Sequence, residues 1–212
     1  MEHLEVEEIF GVKGLSFSNS FRSFIDSFPK NEKLKVLDLG CGYGQKSLFL
    51  ASGGWAVTAL DIDTQKLDIL KTRAEQYDLG IDVVEGDMKA LPLQDNLFDI
   101  VICLSTIHHQ KLIDIENTLS EIFRILKPGG QVFFDILSIN DPSCEIGEEI
   151  EPGTRVGGRE GEEDVPHHYS TKKELKEILT NYSKIDISEN SFAYKYNYKE
   201  YICVLFEVIA VK

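Results

Sequence analysis

Residues 36–45 read VLDLGCGYGQ, an apolar segment that runs directly into a glycine-rich turn. A second apolar segment follows at residues 55–60 and ends in Asp61. Glycines at such a turn let the backbone approach a ligand without interference from Cβ atoms. An acid about twenty residues further on is placed to accept hydrogen bonds from both hydroxyls of a ribose. The arrangement therefore predicts a strand, turn and helix that bind an adenosine-containing cofactor.

The spacing of the glycines indicates which adenosine cofactor fits. A dinucleotide site needs G-x-G-x-x-G, which places a pyrophosphate at a helix N-terminus. Counted from Gly40, the third glycine would stand at position 45, where the chain has Gln45. The pattern present is D-x-G-x-G-x-G, and it begins at Asp38. A carboxylate there repels a pyrophosphate and suits a ligand that carries an ammonium group. A nucleotide-dependent oxidoreductase is therefore disfavoured.

The D-x-G-x-G-x-G pattern resembles the first motif of the class I S-adenosylmethionine-dependent methyltransferases, and the chain is similar to their small-molecule, methyltransferase-11/25-like members. Later segments resemble further motifs of that family, so that the resemblance covers residues 34–137. These segments are ALDID at 59–63, EGDM at 85–88, FDIVICLS at 98–105 and EIFRILKPGG at 121–130. Residues 148–154 and 164–169 loosely resemble a subgroup that includes tellurite-resistance and thiopurine-type proteins.

This resemblance implies S-adenosylmethionine as cofactor and S-adenosylhomocysteine as product. It places Asp61 at the ribose, Asp87 at the adenine amino group and the Met88 backbone beside the adenine ring. The cofactor-binding residues that it implies are Asp38, Gly40, Cys41, Gly42, Gly44, Asp61, Ile62, Asp87, Met88, Leu104 and Ser105.

Strands and helices alternate along the chain from residue 34. Nearly continuous apolar strands between helices indicate a buried parallel sheet with helices on both faces. The family resemblance adds a C-terminal antiparallel hairpin. We therefore expect a Rossmann-like, doubly wound α/β fold with a mostly parallel seven-stranded sheet. The predicted strands are 34–39, 55–60, 81–85, 98–104, 130–137, 184–190 and 200–211, and the predicted helices are 44–52, 64–77, a weak helix before residue 98, 112–126 and 171–181.

The 212 residues suit a single domain, 1–212, in four parts. Residues 1–32 are predicted to form a helical cap, because aromatic residues recur at helical spacing before Pro29. Residues 33–137 form the cofactor-binding core, and 171–212 form the last helix and hairpin. Between them, residues 138–170 interrupt the alternation with glycines and prolines, which predicts a substrate-side insertion. Its eight acids and two arginines between positions 145 and 164 fit either a solvated loop or a lid for a cationic substrate.

Two pairs of histidines are candidate proton acceptors. His109 follows the fourth predicted strand and His168 closes the insertion, so both lie near strand ends where cofactor and acceptor meet. A histidine there can take a proton from a thiol, amine or hydroxyl. The alternative for each is an ordinary loop or helix-cap histidine. Metal binding by His167, His168 and nearby glutamates is disfavoured, because adjacent histidines point in alternate directions, and no metal is expected.

Composition limits the function further. The net charge of −14 argues against nucleic acid as a partner, because phosphate contacts need a basic face. No apolar run approaches the length needed to span a membrane, and the acidic N-terminus lacks a signal sequence. The four cysteines show no disulfide or zinc spacing. A cytoplasmic protein is expected, and the sequence leaves its oligomeric state open.

The function that these features favour is methyl transfer by in-line displacement from S-adenosylmethionine to a small-molecule acceptor. Such a transfer needs orientation and exclusion of water more than covalent machinery, so the absence of a catalytic triad is no objection. Two alternatives remain open: a non-catalytic regulator that binds S-adenosylmethionine, and a methyltransferase that acts on a protein. The candidate bases and the long insertion favour the enzyme that acts on a small molecule.

Overall fold

The computed structural model describes residues 17–29 and 32–212 of the chain. These residues contain helices α1 (Asn19–Asp26), α2 (Gln45–Ser52), α3 (Thr64–Gln76), α4 (Leu112–Ile125) and α5 (Lys172–Ile178). They also contain strands β1 (Lys35–Leu39), β2 (Ala56–Asp61), β3 (Ile81–Glu85), β4 (Phe98–Cys103), β5 (Leu126–Ser138), β6 (Glu148–Glu151), β7 (Thr154–Val156), β8 (His167–Ser170), β9 (Ser183–Tyr196) and β10 (Lys199–Val211). Within the described residues, no helix is both long enough and apolar enough to cross a membrane.

Seven strands form the main sheet in the order β3-β2-β1-β4-β5-β10-β9. The first five are parallel, with Val36 paired to Val57 on one side and to Ile100 on the other. Strand β10 then pairs antiparallel with β5, and β9 pairs antiparallel with β10. The predicted seven-stranded sheet with a C-terminal antiparallel hairpin is thus confirmed.

Both faces of the sheet are covered, which explains why its central strands are almost continuously apolar. Residues alternate between two cores along β1: Leu37 and Leu39 pack with α4 and α5, and Val36 packs with α1 and α2. The middle of β4 is fully buried. This packing fixes the strand ends and therefore the loops that follow them.

The N-terminal aromatic stripe lies on α1, whose first turn is capped by the Ser18 hydroxyl. Phe21 and Phe24 pack against Phe133 on β5, and Phe21 also meets Phe49 on α2. The described part of the predicted cap therefore packs on a face of the sheet. The rest of that prediction, residues 1–16 and 30–31, lies outside the described residues.

The weak helix predicted after β3 is wrong, since residues 86–97 form turns. Pro92 lacks the amide hydrogen that a helix needs at that point. The turns are held instead by α4, where the Arg124 guanidinium donates to the carbonyl oxygens of Leu91 and Leu93. The Glu121 carboxylate accepts a hydrogen bond from the Leu91 amide at 2.7 Å.

The segment 138–170 contains more regular structure than an irregular loop. It has a short 3₁₀ helix at Pro142–Glu145, the β6–β7 hairpin and strand β8. Strand β8 pairs parallel to the end of β5 through Leu137 and Tyr169, and antiparallel to β7. The main sheet therefore continues into a small three-stranded extension at the end of β5.

Candidate functional site

A cleft of about 610 Å³ lies at the carboxyl ends of the parallel strands. This is the edge of an open α/β sheet where ligands bind, because the loops after neighbouring strands diverge there. The predicted residues that line it come from the ends of four strands: Gly40, Cys41, Gly42, Asp61, Ile62, Asp87, Met88, Leu104 and Ser105. The fold therefore brings together predicted residues that are distant along the chain.

The glycine turn after β1 is fixed to β2. The Gly40 and Cys41 amides both donate to the Leu60 carbonyl oxygen, at 2.8 and 3.0 Å. A Cβ atom on Gly40 would lie 2.4 Å from the Thr106 side chain, so this close approach requires glycine. Gly42 has the left-handed φ of +53°, and a Cβ there would meet nothing within 4 Å. The turn thus leaves space on its cleft side.

Asp61 ties the glycine turn to the loop after β2. Its Oδ2 atom accepts a hydrogen bond from the Gly42 amide at 2.8 Å, and its Oδ1 atom accepts one from the Asp63 amide at 2.9 Å. Each carboxylate oxygen has a further lone pair for a ligand. The side chain is therefore held in one orientation at the wall of the cleft.

Asp87 and Met88 follow β3 and form another wall of the cleft. The Asp87 carboxylate accepts a hydrogen bond from the Lys89 amide at 2.9 Å, which fixes the turn. The Met88 sulfur accepts a hydrogen bond from the Gln110 amide group at 3.0 Å. Ile62 lies in the loop after β2 and is 69% exposed, so that its apolar side chain forms part of the cleft wall.

Ser105 lies where β4 ends, and its backbone has the left-handed φ of +59°. The buried Asp135 carboxylate on β5 holds it there by accepting a hydrogen bond from the Ser105 amide. Burial raises the pKa of Asp135 to about 6, while the Ser105 hydrogen bond acts in the opposite direction. The sequence offered no signal for Asp135, because its neighbours on β5 read as an ordinary apolar strand.

Two predicted cofactor residues do not line the cleft. Asp38 is only 2% exposed, and its carboxylate accepts a hydrogen bond from the Ser47 hydroxyl at 2.6 Å. Burial raises the pKa of Asp38, while Lys46 lowers it. Gly44 begins α2 and is buried against Leu70, since a Cβ there would lie 2.1 Å from that side chain. Both residues support the turn from behind.

Only one of the two predicted bases faces the cleft. His109 lines it, and burial lowers the pKa of His109 to about 4, so that its imidazole is neutral at pH 7. His168 is fully buried and faces away, with its ring nitrogens 2.7 Å from the Thr154 hydroxyl and 2.7 Å from the Glu174 carboxylate. The prediction for His168 is therefore corrected: the pleat of β8 turns neighbouring side chains to opposite faces, and it is His167 that contacts the cleft residue Glu162.

Several cleft residues were not singled out from the sequence. They include Thr106, Gln110 and Lys66, together with Glu162 from the insertion. Thr106 and Gln110 stand within a few residues of the predicted Ser105, so the end of β4 was a usable signal for them. Glu162 lay among eight acids, and only the path of the chain shows that it reaches the cleft.

A second cavity of about 450 Å³ adjoins the cleft. Ser105, His109 and Glu162 border both spaces. The second cavity also has an apolar and aromatic wall, which is formed by Leu137, Phe192, Tyr194, Tyr196 and Leu205. The two cavities together give room for two different ligands side by side.

Known proteins share this core. The methyltransferase domain family matches residues 37–134. The ubiquinone biosynthesis O-methyltransferase of Coxiella burnetii is 34% identical over 105 residues, which are 50% of this chain and 44% of that protein. The malonyl-[acyl-carrier protein] O-methyltransferase of Pectobacterium atrosepticum is 36% identical over 112 residues, which are 52% of this chain and 41% of that protein. The chain thus spans less than half the length of these relatives.

Solved structures agree on the fold. A SAM-dependent methyltransferase from Methanosarcina mazei superposes with a TM-score of 0.74 at 22% identity, over 93% of this chain and 99% of that one. TehB from Haemophilus influenzae superposes with a TM-score of 0.72 at 18% identity, over 97% of this chain and 65% of that one. Residues 37–134, which carry the strand ends that build the cleft, thus match the methyltransferase domain family, and the described chain shares the fold of a solved S-adenosylmethionine-dependent methyltransferase.

Proposed function

We propose that this protein transfers a methyl group from S-adenosylmethionine, bound in the cleft, to a small molecule bound in the second cavity. The observation that carries the proposal is the pair of adjoining cavities with a shared border at Ser105, His109 and Glu162. A methyl donor and its acceptor must lie side by side with their reacting atoms in line. The border is where those atoms would meet.

The residues of the cleft fit the cofactor of the family. The volume of the cleft, about 610 Å³, lies within the range of small-molecule sites. The open space beside Gly42 admits a ligand against the backbone. Asp61 would accept hydrogen bonds from the ribose hydroxyls and Asp87 one from the adenine amino group, with the Met88 backbone beside the ring. When bound, S-adenosylmethionine supplies an activated methyl group on a sulfonium.

The protein would accelerate the transfer mainly by orientation. The cleft holds the cofactor against four strand ends, and the aromatic wall of the second cavity holds the acceptor and excludes water. Of the two predicted bases, only His109 borders both cavities. Asp135 contributes indirectly, since it fixes the backbone of Ser105 at the border.

The second cavity supports a small acceptor with an apolar or aromatic part. Phe192 and Tyr194 offer ring faces, and Leu137 and Leu205 complete the wall. The two relatives named above are O-methyltransferases by name. Hydroxyl and carboxyl compounds with an apolar body are therefore the first acceptors to test, and thiols and amines of similar size come next.

The experiment is to measure release of S-adenosylhomocysteine across such a panel, with cofactor binding measured separately by calorimetry. Turnover with at least one small acceptor is expected. Binding of S-adenosylmethionine without turnover on any acceptor would favour the non-catalytic regulator. Transfer to protein but to no small molecule would favour the protein methyltransferase, and failure to bind the cofactor would overturn the proposal.

A further inference from the structure

Three side chains from separate parts of the chain converge at the border of the two cavities. His109 follows β4, Glu162 comes from the loop before β8, and His167 is the first residue of β8. Each offers one ligand atom, and the three atoms lie within 4.8 Å of one another. The Glu162 carboxylate is 2.9 Å from Nε2 of His167 and 3.8 Å from Nε2 of His109. Such convergence brings three electron-pair donors to one point.

The hydrogen bonding of His167 shows what the cluster lacks. Its Nδ1 atom lies 3.0 Å from the Val165 carbonyl oxygen, which can only accept, so Nδ1 carries a hydrogen. In a neutral imidazole Nε2 then has a lone pair, and this lone pair faces the Glu162 carboxylate. Two acceptors in contact repel each other unless a positive charge lies between them. A metal-ligating histidine often donates its other N–H to a backbone carbonyl in this way.

The surroundings hold the cluster in place. The His168 amide donates to the His108 carbonyl oxygen at 2.8 Å, which fixes β8 to the turn that carries His109. The His108 ring lies 4.5 Å from the His109 ring and 6.1 Å from the His167 ring, measured between centroids. His108 is 5% exposed, and its buried Nδ1 atom has no hydrogen-bond partner among the described residues. The His108 ring thus packs beside the rings of both histidines of the cluster.

We propose that His109, Glu162 and His167 bind a divalent transition-metal ion, with Zn²⁺ the best match. Two imidazoles and one carboxylate form the ligand set of a catalytic zinc site, which leaves a position open. Magnesium and calcium are poor matches, because they prefer oxygen ligands throughout. This site is not the one that the sequence argued against, because His168 takes no part in it.

The role of the ion rests on the proposed function, although the site itself does not. His109 and Glu162 border both cavities, so the open position faces the place where acceptor and methyl donor meet. An acceptor hydroxyl or thiol that binds there loses its proton to solvent more readily. The acceptor electron pair then forms a bond to the methyl carbon, the methyl–sulfur bond breaks, and its electrons remain on sulfur as S-adenosylhomocysteine. His109 acts in this scheme as a ligand and not as a proton acceptor.

The test is uptake of Zn²⁺ by the full-length protein after removal of metal with a chelator. Calorimetry with a competing chelator should show one saturable site. Glu162→Gln should lower the affinity for Zn²⁺ at least about tenfold, and His167→Ala should do the same. Glu163→Gln is the matched control, because the neighbouring Glu163 side chain accepts a hydrogen bond from the Gly161 amide at 2.8 Å and is not a member of the cluster. It should leave the affinity unchanged.

Cofactor binding separates this proposal from the proposed function. His167 does not line the cleft, so His167→Ala should keep its affinity for S-adenosylhomocysteine while it loses Zn²⁺. Absence of saturable Zn²⁺ uptake by the unmodified protein, or equal losses in Glu162→Gln and Glu163→Gln, would overturn the metal site. The contact between His167 and Glu162 would then be a hydrogen bond without a metal ion. Intact binding of S-adenosylhomocysteine in that case leaves the proposed function standing.

Discussion

Asp61 joins two functions at the scale of a single residue, since it orders the glycine turn and faces the cleft. Asp61→Ala removes the acceptor proposed for the ribose hydroxyls. Two charge-assisted hydrogen bonds correspond to about 2–4 kcal/mol of binding free energy. We expect calorimetry to show that loss of affinity for S-adenosylmethionine. Part of it arises because the Gly42 amide loses its partner.

Asp68→Ala is the control for this experiment. Asp68 lies on α3 with a side chain that is 73% exposed, and it contacts Lys71 at 3.1 Å, away from the cleft. Cofactor affinity should be unchanged in this variant. Equal affinity in Asp61→Ala and Asp68→Ala would show that Asp61 does not contact the cofactor.

Asp135 should make the stability of the protein depend on pH. Its pKa is raised from 3.8 to about 6 by burial, with Glu207 acting in the same direction and Ser105 and Lys46 in the opposite one. A carboxyl whose pKa is higher in the folded state stabilises the fold below its unfolded pKa. That stability is lost as the pH rises through about 6. A shift of about two units corresponds to roughly 3 kcal/mol.

Asp135→Asn isolates this contribution, because asparagine does not titrate and its Oδ1 atom still accepts the Ser105 hydrogen bond. Denaturant unfolding should be measured for both proteins from pH 4 to pH 7. The free energy of unfolding of the variant minus that of the parent should rise by roughly 2.5 kcal/mol over this range. A difference that stays constant with pH would contradict the raised pKa of Asp135.

The site residues show which single positions a sequence can reveal. Asp61, Asp87 and Ser105 were predictable because each lies at the end of a strand or within two residues of it, and parallel strands end at one edge of the sheet. The choice between His167 and His168 was not predictable. It depends on how β8 pairs with β5 and β7, and a shift of one residue would exchange their faces.

The glycine turn carries the first prediction at the scale of an element. Gly42→Ala places a methyl group in open space on the cleft side, and its left-handed φ costs only about 1–2 kcal/mol of stability. Gly44→Ala has the same kind of φ, +78°, and also brings a Cβ to 2.1 Å from the buried Leu70 side chain. Gly44→Ala should therefore lower the melting temperature more than Gly42→Ala does.

The affinity for the cofactor should fall in Gly42→Ala, although this variant is the more stable of the two. The methyl group of Gly42→Ala occupies the wall of the cleft, so calorimetry should show weaker cofactor binding in a protein that remains well folded. The two variants test the two sides of the turn. If Gly42→Ala binds the cofactor as tightly as the parent protein, the ligand does not approach the backbone at this point.

The insertion 138–170 should divide into a stable and a mobile part. Strand β8 is buried, and the amides of His168 and Tyr169 each donate at 2.8 Å to a carbonyl oxygen. The β6 strand is largely exposed. We expect hydrogen exchange, followed by mass spectrometry, to be slow in β8 and fast in residues 148–163. S-adenosylhomocysteine should slow it around Glu162, which lines the cleft.

Exchange in residues 148–163 that is as slow as in β4, with and without cofactor, would contradict a lid role for this segment. Exchange that is fast in both states would favour a solvated loop. Several of the acids already have partners: the Glu151 carboxylate accepts a hydrogen bond from the Leu112 amide at 2.8 Å, and Glu160 lies 2.9 Å from Lys199. Glu162 is paired as well, since its carboxylate lies 2.9 Å from Nε2 of His167. The lid prediction therefore rests on a change in exchange when the cofactor binds.

Periodicity explains which elements were predictable. Strands β1 to β4 were predicted within one residue. Strands β1, β2 and β4 are mostly apolar runs between helices, as expected of buried parallel strands, whereas β3 lies at the edge of the sheet and has no buried residue. Strand β8 was missed because four residues, three of them polar, carry no apolar pattern, and its burial comes from β5 and β7. The hairpin β9–β10 is longer than predicted, since β9 pairs with β10 as far as Tyr196 although most of that part of the strand is exposed.

At the scale of the whole molecule, the net charge of −14 predicts that nucleic acid does not bind in place of the proposed small acceptor. The acids are concentrated in the insertion that borders the second cavity, where Glu160 and Glu162 lie. Arg159 also lines this cavity, so its wall carries charges of both signs. Anionic acceptors such as carboxyl compounds therefore stay in the acceptor panel beside neutral ones.

The cofactor should stabilise the whole molecule, because its site is assembled from the ends of four strands. A ligand that binds only the folded state stabilises it by about 2.7 kcal/mol at a concentration one hundred times its dissociation constant. For a domain of this size, that corresponds to an increase in the melting temperature of roughly 5–10 °C. We expect this shift with S-adenosylhomocysteine. NAD⁺ should give none, because the turn has Gln45 where a dinucleotide site needs glycine. A shift with NAD⁺ and none with S-adenosylhomocysteine would reverse the assignment of the cleft.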